Sequence, residues 1–239
     1  MRVHRADIAE WRPADARIMI RRHIYSRAMA HILVIGASKG IGLETVRQAL
    51  ETGHSVRALA RSANGIGLAD PRLEKVRGDA LNAVDVVAAL KGVSVVIQTL
   101  GIRFAEMFRP VHLFSDATRV LVNAMATSGV RRLICVTGFG AGASEANISL
   151  LQRIPFQLVF GRTYQDKSVQ ERLLKESALE WTIVRPGVLT GAKRTGRYKV
   201  LDQPSQWRNG VIGRADVADF LVRQIDSPTG IRKEYVLVS

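Results

Sequence analysis

"ILVIGASKGIG", residues Ile32 to Gly42, decides how the rest of the 239-residue chain is read. An apolar run ends at Gly36, two more glycines follow at Gly40 and Gly42, and "LETVRQALETG" then takes up helical spacing through Leu43, Val46 and Leu50. The order is strand, glycine turn, helix. Gly36 lets the chain turn sharply, whereas Gly40 and Gly42 remove side chains where a diphosphate must reach the backbone and where helix must pack on strand. The start of the helix offers unpaired N–H groups and a partial positive charge, which suits a phosphorylated cofactor.

Outward from this stretch, apolar runs of strand length alternate with helical periods. "HILVIG", "HSVRALAR", "LEKVRGD", "VSVVIQTLG", "VRRLICVTGFG", "LEWTIVRPG" and the final "EYVLVS" read as strands. Between them "GLETVRQALETG" stopped by Gly53, "NAVDVVAAL" capped by Asn82, "SDATRVLVNAMATSG", "YQDKSVQERLLKESA" and "RADVADFLVRQID" read as helices. This alternation predicts an α/β, Rossmann-type doubly wound fold: a mostly parallel sheet with helices on both faces, forming a single domain over residues 29–239. Residues 1–28 differ in character, being arginine-rich with Trp11 and Pro13. They are expected to be an N-terminal extension, either a loosely attached helix or the product of a start upstream of Met29. Asp7, Glu10 and Asp15 do not fit a targeting peptide, and the segment lacks the apolar h-region of a secretory signal.

Lys and Arg outnumber Asp and Glu by 35 to 21, a formal net charge of +14. The cations are spread over "VRRL", "AKRTGRYK" and "GIRKEY", with no aromatic interleaving and no zinc-finger or basic-zipper pattern, so nucleic acid is not the expected partner. Apolar runs fall well short of the roughly 20 residues of a membrane-spanning helix, and a cytoplasmic protein without a membrane partner is expected. Cys135 is the single cysteine, inside "LICV", which excludes an internal disulfide and a cysteine-cluster metal site. His23, His31, His54 and His112 stand singly, so no metal is expected.

The spacing Gly-x-x-x-Gly-x-Gly in "GASKGIG" resembles the short-chain dehydrogenase/reductase superfamily. "GD" at Gly78–Asp79, "TLG", "SGVRRLICVTG" and "LEWTIVRPGVLTG" extend the resemblance over residues 31–239. The last of these is similar to the atypical branch, which includes flavin and biliverdin reductases, quinone reductases and NADP-sensing regulators. An NAD site usually places an acid about 20 residues past the glycine turn, at the end of the second strand. This chain has Arg61 there and Lys39 in the turn, a pair that selects NADP(H) through charge-assisted contacts to its 2′-phosphate. The cofactor cradle is then Gly36, Ser38, Lys39, Gly40, Ile41, Gly42 and Arg61. By resemblance, Asp79 and Ala80 line the adenine, Leu100 and Gly101 lie under the cofactor, and Pro186, Gly187 and Val188 turn beside the nicotinamide.

Ordinary members of the superfamily pair a tyrosine with a lysine four residues later. In "GRTYQDKSVQERLL" Lys167 matches the lysine, but Thr163 stands at the tyrosine position and Tyr164 is displaced by one. One step on a helix is about 100°, so Tyr164 does not simply replace a residue at position 163. Thr137 is the hydroxyl at the end of strand five, with Ser144 further into the loop. Lys167, Thr137 and Tyr164 are therefore the candidate catalytic residues, with Thr137 and Lys167 also expected to touch the cofactor. Two readings follow, with a third behind them: an NADPH-dependent oxidoreductase passing hydride to a flavin, quinone or similar small conjugated acceptor; a non-catalytic NADP(H)-sensing protein; and a sugar-nucleotide epimerase or dehydratase.

Overall fold

The computed structural model describes residues 29–102, 111–148 and 150–239, so the extension expected over residues 1–28 lies outside the described residues. In chain order the elements are β1 (His31–Ile35), α1 (Gly40–Glu51), β2 (Ser55–Ala60), β3 (Leu73–Arg77), α2 (Ala83–Leu90) and β4 (Val95–Gln98). Then come α3 (Leu113–Ser128), β5 (Arg132–Val136), α4 (Leu150–Glu176), β6 (Glu180–Pro186), β7 (Val188–Thr190), β8 (Lys199–Leu201), β9 (Val211–Gly213), α5 (Arg214–Arg223) and β10 (Lys233–Val238). Among the described residues the strands form one eight-stranded sheet, in the order β3-β2-β1-β4-β5-β6-β10-β8, and a two-stranded ribbon of β7 and β9. All neighbours in the large sheet are parallel except β10 and β8.

The sheet is buried on both faces, which is why its central strands read as unbroken apolar runs instead of alternating ones. Ile32 and Val34 of β1 face the layer holding Val46 and Ala49 of α1 and Val217 and Leu221 of α5. Leu33 and Ile35 face the other layer, with Val86 of α2, Leu121 and Met125 of α3 and Leu174 of α4. Strand order reverses between β1 and β4, which run parallel, and the carboxyl ends of those strands open a crevice at this switch point, where ligands bind in such sheets.

The expected stops and caps are present: Gly53 takes φ +94° after α1, and the Asn82 side chain accepts the N–H of Val84 at 2.9 Å. Three differences carry physical reasons. Helix α4 begins at Leu150, well before the expected Tyr164, and runs through Pro155 and Gly161, which read locally as helix breakers. Helix α3 begins at Leu113, ahead of the expected Ser115, because its cap comes from a carboxylate on another helix. β7, β8 and β9 are three-residue strands, too short for a period-two signature. They exist through their partners, as in the register pair Val188–Val211.

Candidate functional site

The glycine turn separates packing from access. A Cβ at Gly36, whose φ is +86°, would stand 2.8 Å from the carbonyl oxygen of Thr99, and one at Gly42 would run into the Gly36 carbonyl and stand 2.6 Å from Thr99 Oγ1. These two glycines let α1 and β4 close on the turn. Gly40, at φ +60°, has, among the described residues, only the Arg214 side chain within 4 Å of such a Cβ. Lys39 is the N-cap of α1 in extended conformation, no side chain caps the helix, and its first turn holds no acid. The leading N–H groups of α1 therefore face outward beside an open glycine, an arrangement that could hold a diphosphate.

Ser38 is half-buried, Lys39 and Arg61 are exposed, and Ile41 is buried beneath the turn. Arg61 follows β2 directly, so both cations stand at the same end of the sheet as the turn. Asp79 is half-buried and spends a carboxylate oxygen on the N–H of Leu81, while its own N–H goes to Asp85. Ala80 is buried, Leu100 half-buried and Gly101 exposed at the carboxyl end of β4.

Helix α4 brings Tyr164 and Lys167 to the carboxyl end of β5. Lys167 Nζ donates to the Thr137 carbonyl at 2.5 Å, 4.8 Å from the ring centre of Phe114 and 5.5 Å from that of Tyr164. Burial pushes the Lys167 ammonium down to about 8 against the opposing pull of Cys135, Glu171 and Asp166. Tyr164 lies with its hydroxyl 2.9 Å from where a Cβ on Gly138 would be, so the bare Gly138 makes its place; burial pushes the phenol up to about 12. Thr163, at the tyrosine position of the family pattern, is turned inward and 4% exposed. The one-residue displacement thus exchanges an i, i+4 pair for an i, i+3 pair, which still shares a helix face.

Thr137 contributes differently from expectation. Its hydroxyl donates to Glu171 Oε1 at 2.7 Å, away from Tyr164, and what it presents to Lys167 is its carbonyl. Ser144 is also committed: it is fully buried, donates to the Ala141 carbonyl and accepts the N–H of Gly140. Behind them lies a charged cluster that sequence reading did not single out. Arg185, with no exposed surface, donates to both oxygens of Glu171 at 2.9 and 2.7 Å, contacts Glu234, and stacks 4.7 Å over Trp207. Lys175 pairs with Glu234 at 2.6 Å. Paired charges of this kind survive burial because each compensates the other. They fix the floor under Thr137 and Lys167.

On the far side, the Pro186 carbonyl accepts the N–H of Phe139, and Gly187 has no room for a side chain because Gly210 abuts it. Val188 is exposed at the start of the β7–β9 ribbon. The cationic loop after β7 is pinned to α5: buried Asp216 accepts the N–H groups of Thr195 and Gly196 and the Thr195 hydroxyl. Among the described residues no group of His, Cys, Asp or Glu is arranged to hold a metal ion. Cys135 is buried, and its thiol is pushed far up by desolvation. No helix among the described residues is long and apolar enough to cross a membrane.

Comparison with known proteins gives this geometry a context. A family model described as NAD(P)H-binding matches residues 36–228. An uncharacterised chloroplast protein of Arabidopsis thaliana is 29% identical over 81% of this chain and 71% of its own length. The chloroplast protein TIC 62 of Pisum sativum is 27% identical over 82% of this chain, which spans 40% of that relative. Photosystem II assembly factor Ycf39 of Cyanophora paradoxa is 26% identical over 81% of this chain, which spans 59% of it. Among solved structures, ChuY of Escherichia coli O157:H7, described as an anaerobillin reductase, is similar with a TM-score of 0.72 and 27% identity over 87% of this chain and 96% of that one. A short-chain dehydrogenase/reductase of Veillonella parvula in complex with NADP shares the fold, with a TM-score of 0.76 at 17% identity over 89% of this chain and 95% of that one.

Proposed function

The chain belongs to the NAD(P)H-binding family, and from that membership we propose that it is an atypical short-chain dehydrogenase/reductase, an NADPH-dependent reductase acting on a small conjugated acceptor such as a flavin, a quinone or a related pigment. The observation that carries the reading is the meeting of Lys167 and Tyr164 at the end of β5, on the same edge of the sheet as the uncapped glycine turn. The similarity to ChuY supports an acceptor with an extended π-system.

The residues present fit the cofactor. Gly36, Ser38, Gly40, Ile41 and Gly42 cradle the diphosphate, Lys39 and Arg61 take the 2′-phosphate, and Asp79, Ala80, Leu100 and Gly101 line the adenine side. Pro186, Gly187 and Val188 border the nicotinamide side, and the bound nicotinamide supplies the hydride. Lys167 has three N–H donors and gives one to Thr137, leaving two for ribose hydroxyls. Tyr164, with its phenol raised to about 12, keeps its proton at neutral pH and donates a hydrogen bond to an acceptor oxygen or nitrogen. We place the protein in the cytoplasm.

Purified protein should oxidise NADPH faster than NADH with at least one of a free flavin, a benzoquinone and a linear tetrapyrrole. Inertness toward all three overturns the reading. Arg61→Ala should weaken NADPH by about 1.5 to 3 kcal/mol and leave NADH unchanged. A sensor that binds NADP(H) without turnover is the second reading. It is favoured by the commitment of the Thr137 and Ser144 hydroxyl protons elsewhere, which denies Tyr164 the usual assisting hydroxyl from this loop. Tight NADPH binding with no turnover would select it.

A further inference from the structure

Arg214 opens α5, yet its side chain lies over the glycine turn, with Cδ 3.8 Å and Nε 3.9 Å from the position of a Cβ on Gly40. Three observations make this placement unusual. A cation in the first turn of a helix opposes the helix dipole, so nothing in α5 itself favours an arginine there. The nearest acid in sequence, Asp216, spends its oxygens on Thr195 and Gly196. The half-buried guanidinium has no hydrogen bond or ion pair among the described residues. A local rule is broken without a local gain, the pattern of a functional group.

Position narrows the function. α5 and α1 pack side by side on one face of the sheet, with Gln48 of α1 donating to the Ala215 carbonyl at 2.8 Å. α5 leads into β10, beside β6, whereas Arg61 follows β2 on the other side of β1. The two arginines thus come from elements on opposite sides of β1. On the dinucleotide reading Arg61 lies on the adenosine-ribose side, and Arg214 stands over Gly40, where the leading N–H groups of α1 would meet the diphosphate.

We propose that Arg214 is a diphosphate-binding residue that closes the glycine turn from the last helix and serves NADPH and NADH alike. The proposal rests on the reading of the turn as a dinucleotide site. Its test is titration of wild type, Arg214→Gln and Arg61→Gln with each coenzyme. Arg214→Gln should weaken both by at least about tenfold and to a similar extent, the loss expected of one charge-assisted contact; Arg61→Gln should weaken NADPH alone. Thermal melting reports whether each variant is folded, and Arg214→Lys, which keeps the charge without the planar fork, should lose part of the affinity and serves as the second variant. Wild-type binding with Arg214→Gln unimpaired, or impaired for NADPH only, overturns the proposal and leaves the functional reading standing. Failure of the wild type to bind either coenzyme overturns the functional reading first.

Discussion

Asp166 Oδ2 accepts the backbone N–H of Phe114 at 2.8 Å, while the ammonium of the next residue, Lys167, lies 4.8 Å from the ring centre of the same Phe114. One turn of α4 thus caps α3 with a carboxylate and lays the site lysine on the residue it caps. A buried acid at a helix N-terminus satisfies orphan amides and the dipole together. Asp166→Ala should cost about 1 to 2 kcal/mol in urea unfolding. It should also loosen Lys167, so that coenzyme affinity falls beyond what stability explains. Unchanged stability would refute the capping role.

The glycines of the turn should divide by mutation. In Gly42→Ala the new methyl meets the Gly36 carbonyl and Thr99 Oγ1, both fixed by the β1–β4 junction, so the variant should melt far lower or fail to fold. Gly40→Ala has space for its methyl and carries only the strain of φ +60°, on the order of 1 to 2 kcal/mol. It should fold and bind coenzyme poorly. Equal melting temperatures for the two would contradict the division into packing and access.

Lys167 should set an alkaline limit. Its pKa is lowered to about 8, so its charge is lost as pH rises through that value, and coenzyme affinity should fall with a midpoint near 8. Lys167→Arg should move that limb out of reach. Stability runs the other way. Between about 8 and the ordinary lysine value of 10.5 the unfolded chain binds more protons than the folded one, so wild type should gain stability relative to Lys167→Met as pH rises through this window. A flat difference between the two proteins would place Lys167 in a wetter setting.

Arg185 should be costly to remove alone. Arg185→Met leaves the buried Glu171 without its bidentate partner, a loss of about 3 to 5 kcal/mol in denaturant unfolding. Adding Glu171→Gln should restore part of it, because the orphaned charge is gone, and the two effects should fall well short of additive. Additive losses would mean that the two side chains act independently.

Much of the architecture was legible in short range. Ile32 to Gly42 encodes its own strand, turn and helix, since each of these depends on residues that are neighbours in sequence. Arg61 and Lys39 could be placed for the same reason: a strand end and a turn are local features. Lys167 was visible as a family pattern, and the helical register set Tyr164 one step away from the expected position. Asp166, Glu171, Arg185 and Arg214 gave no such signal. Asp166 looks like a helix-surface acid until it meets Phe114, and Glu171 and Arg185 look like ordinary charges of a helix and a strand.

The order of the main strands and helices, the parallel character of the sheet and the place of the glycine turn were determined by the sequence alone, because apolar period and glycine spacing act over a few residues. Only tertiary structure decided that Tyr164 reaches the site past a bare Gly138, that Thr137 turns its hydroxyl inward to Glu171, and that an arginine from the last helix covers Gly40. These contacts join segments far apart along the chain, where burial and charge pairing, not local spacing, select the partner.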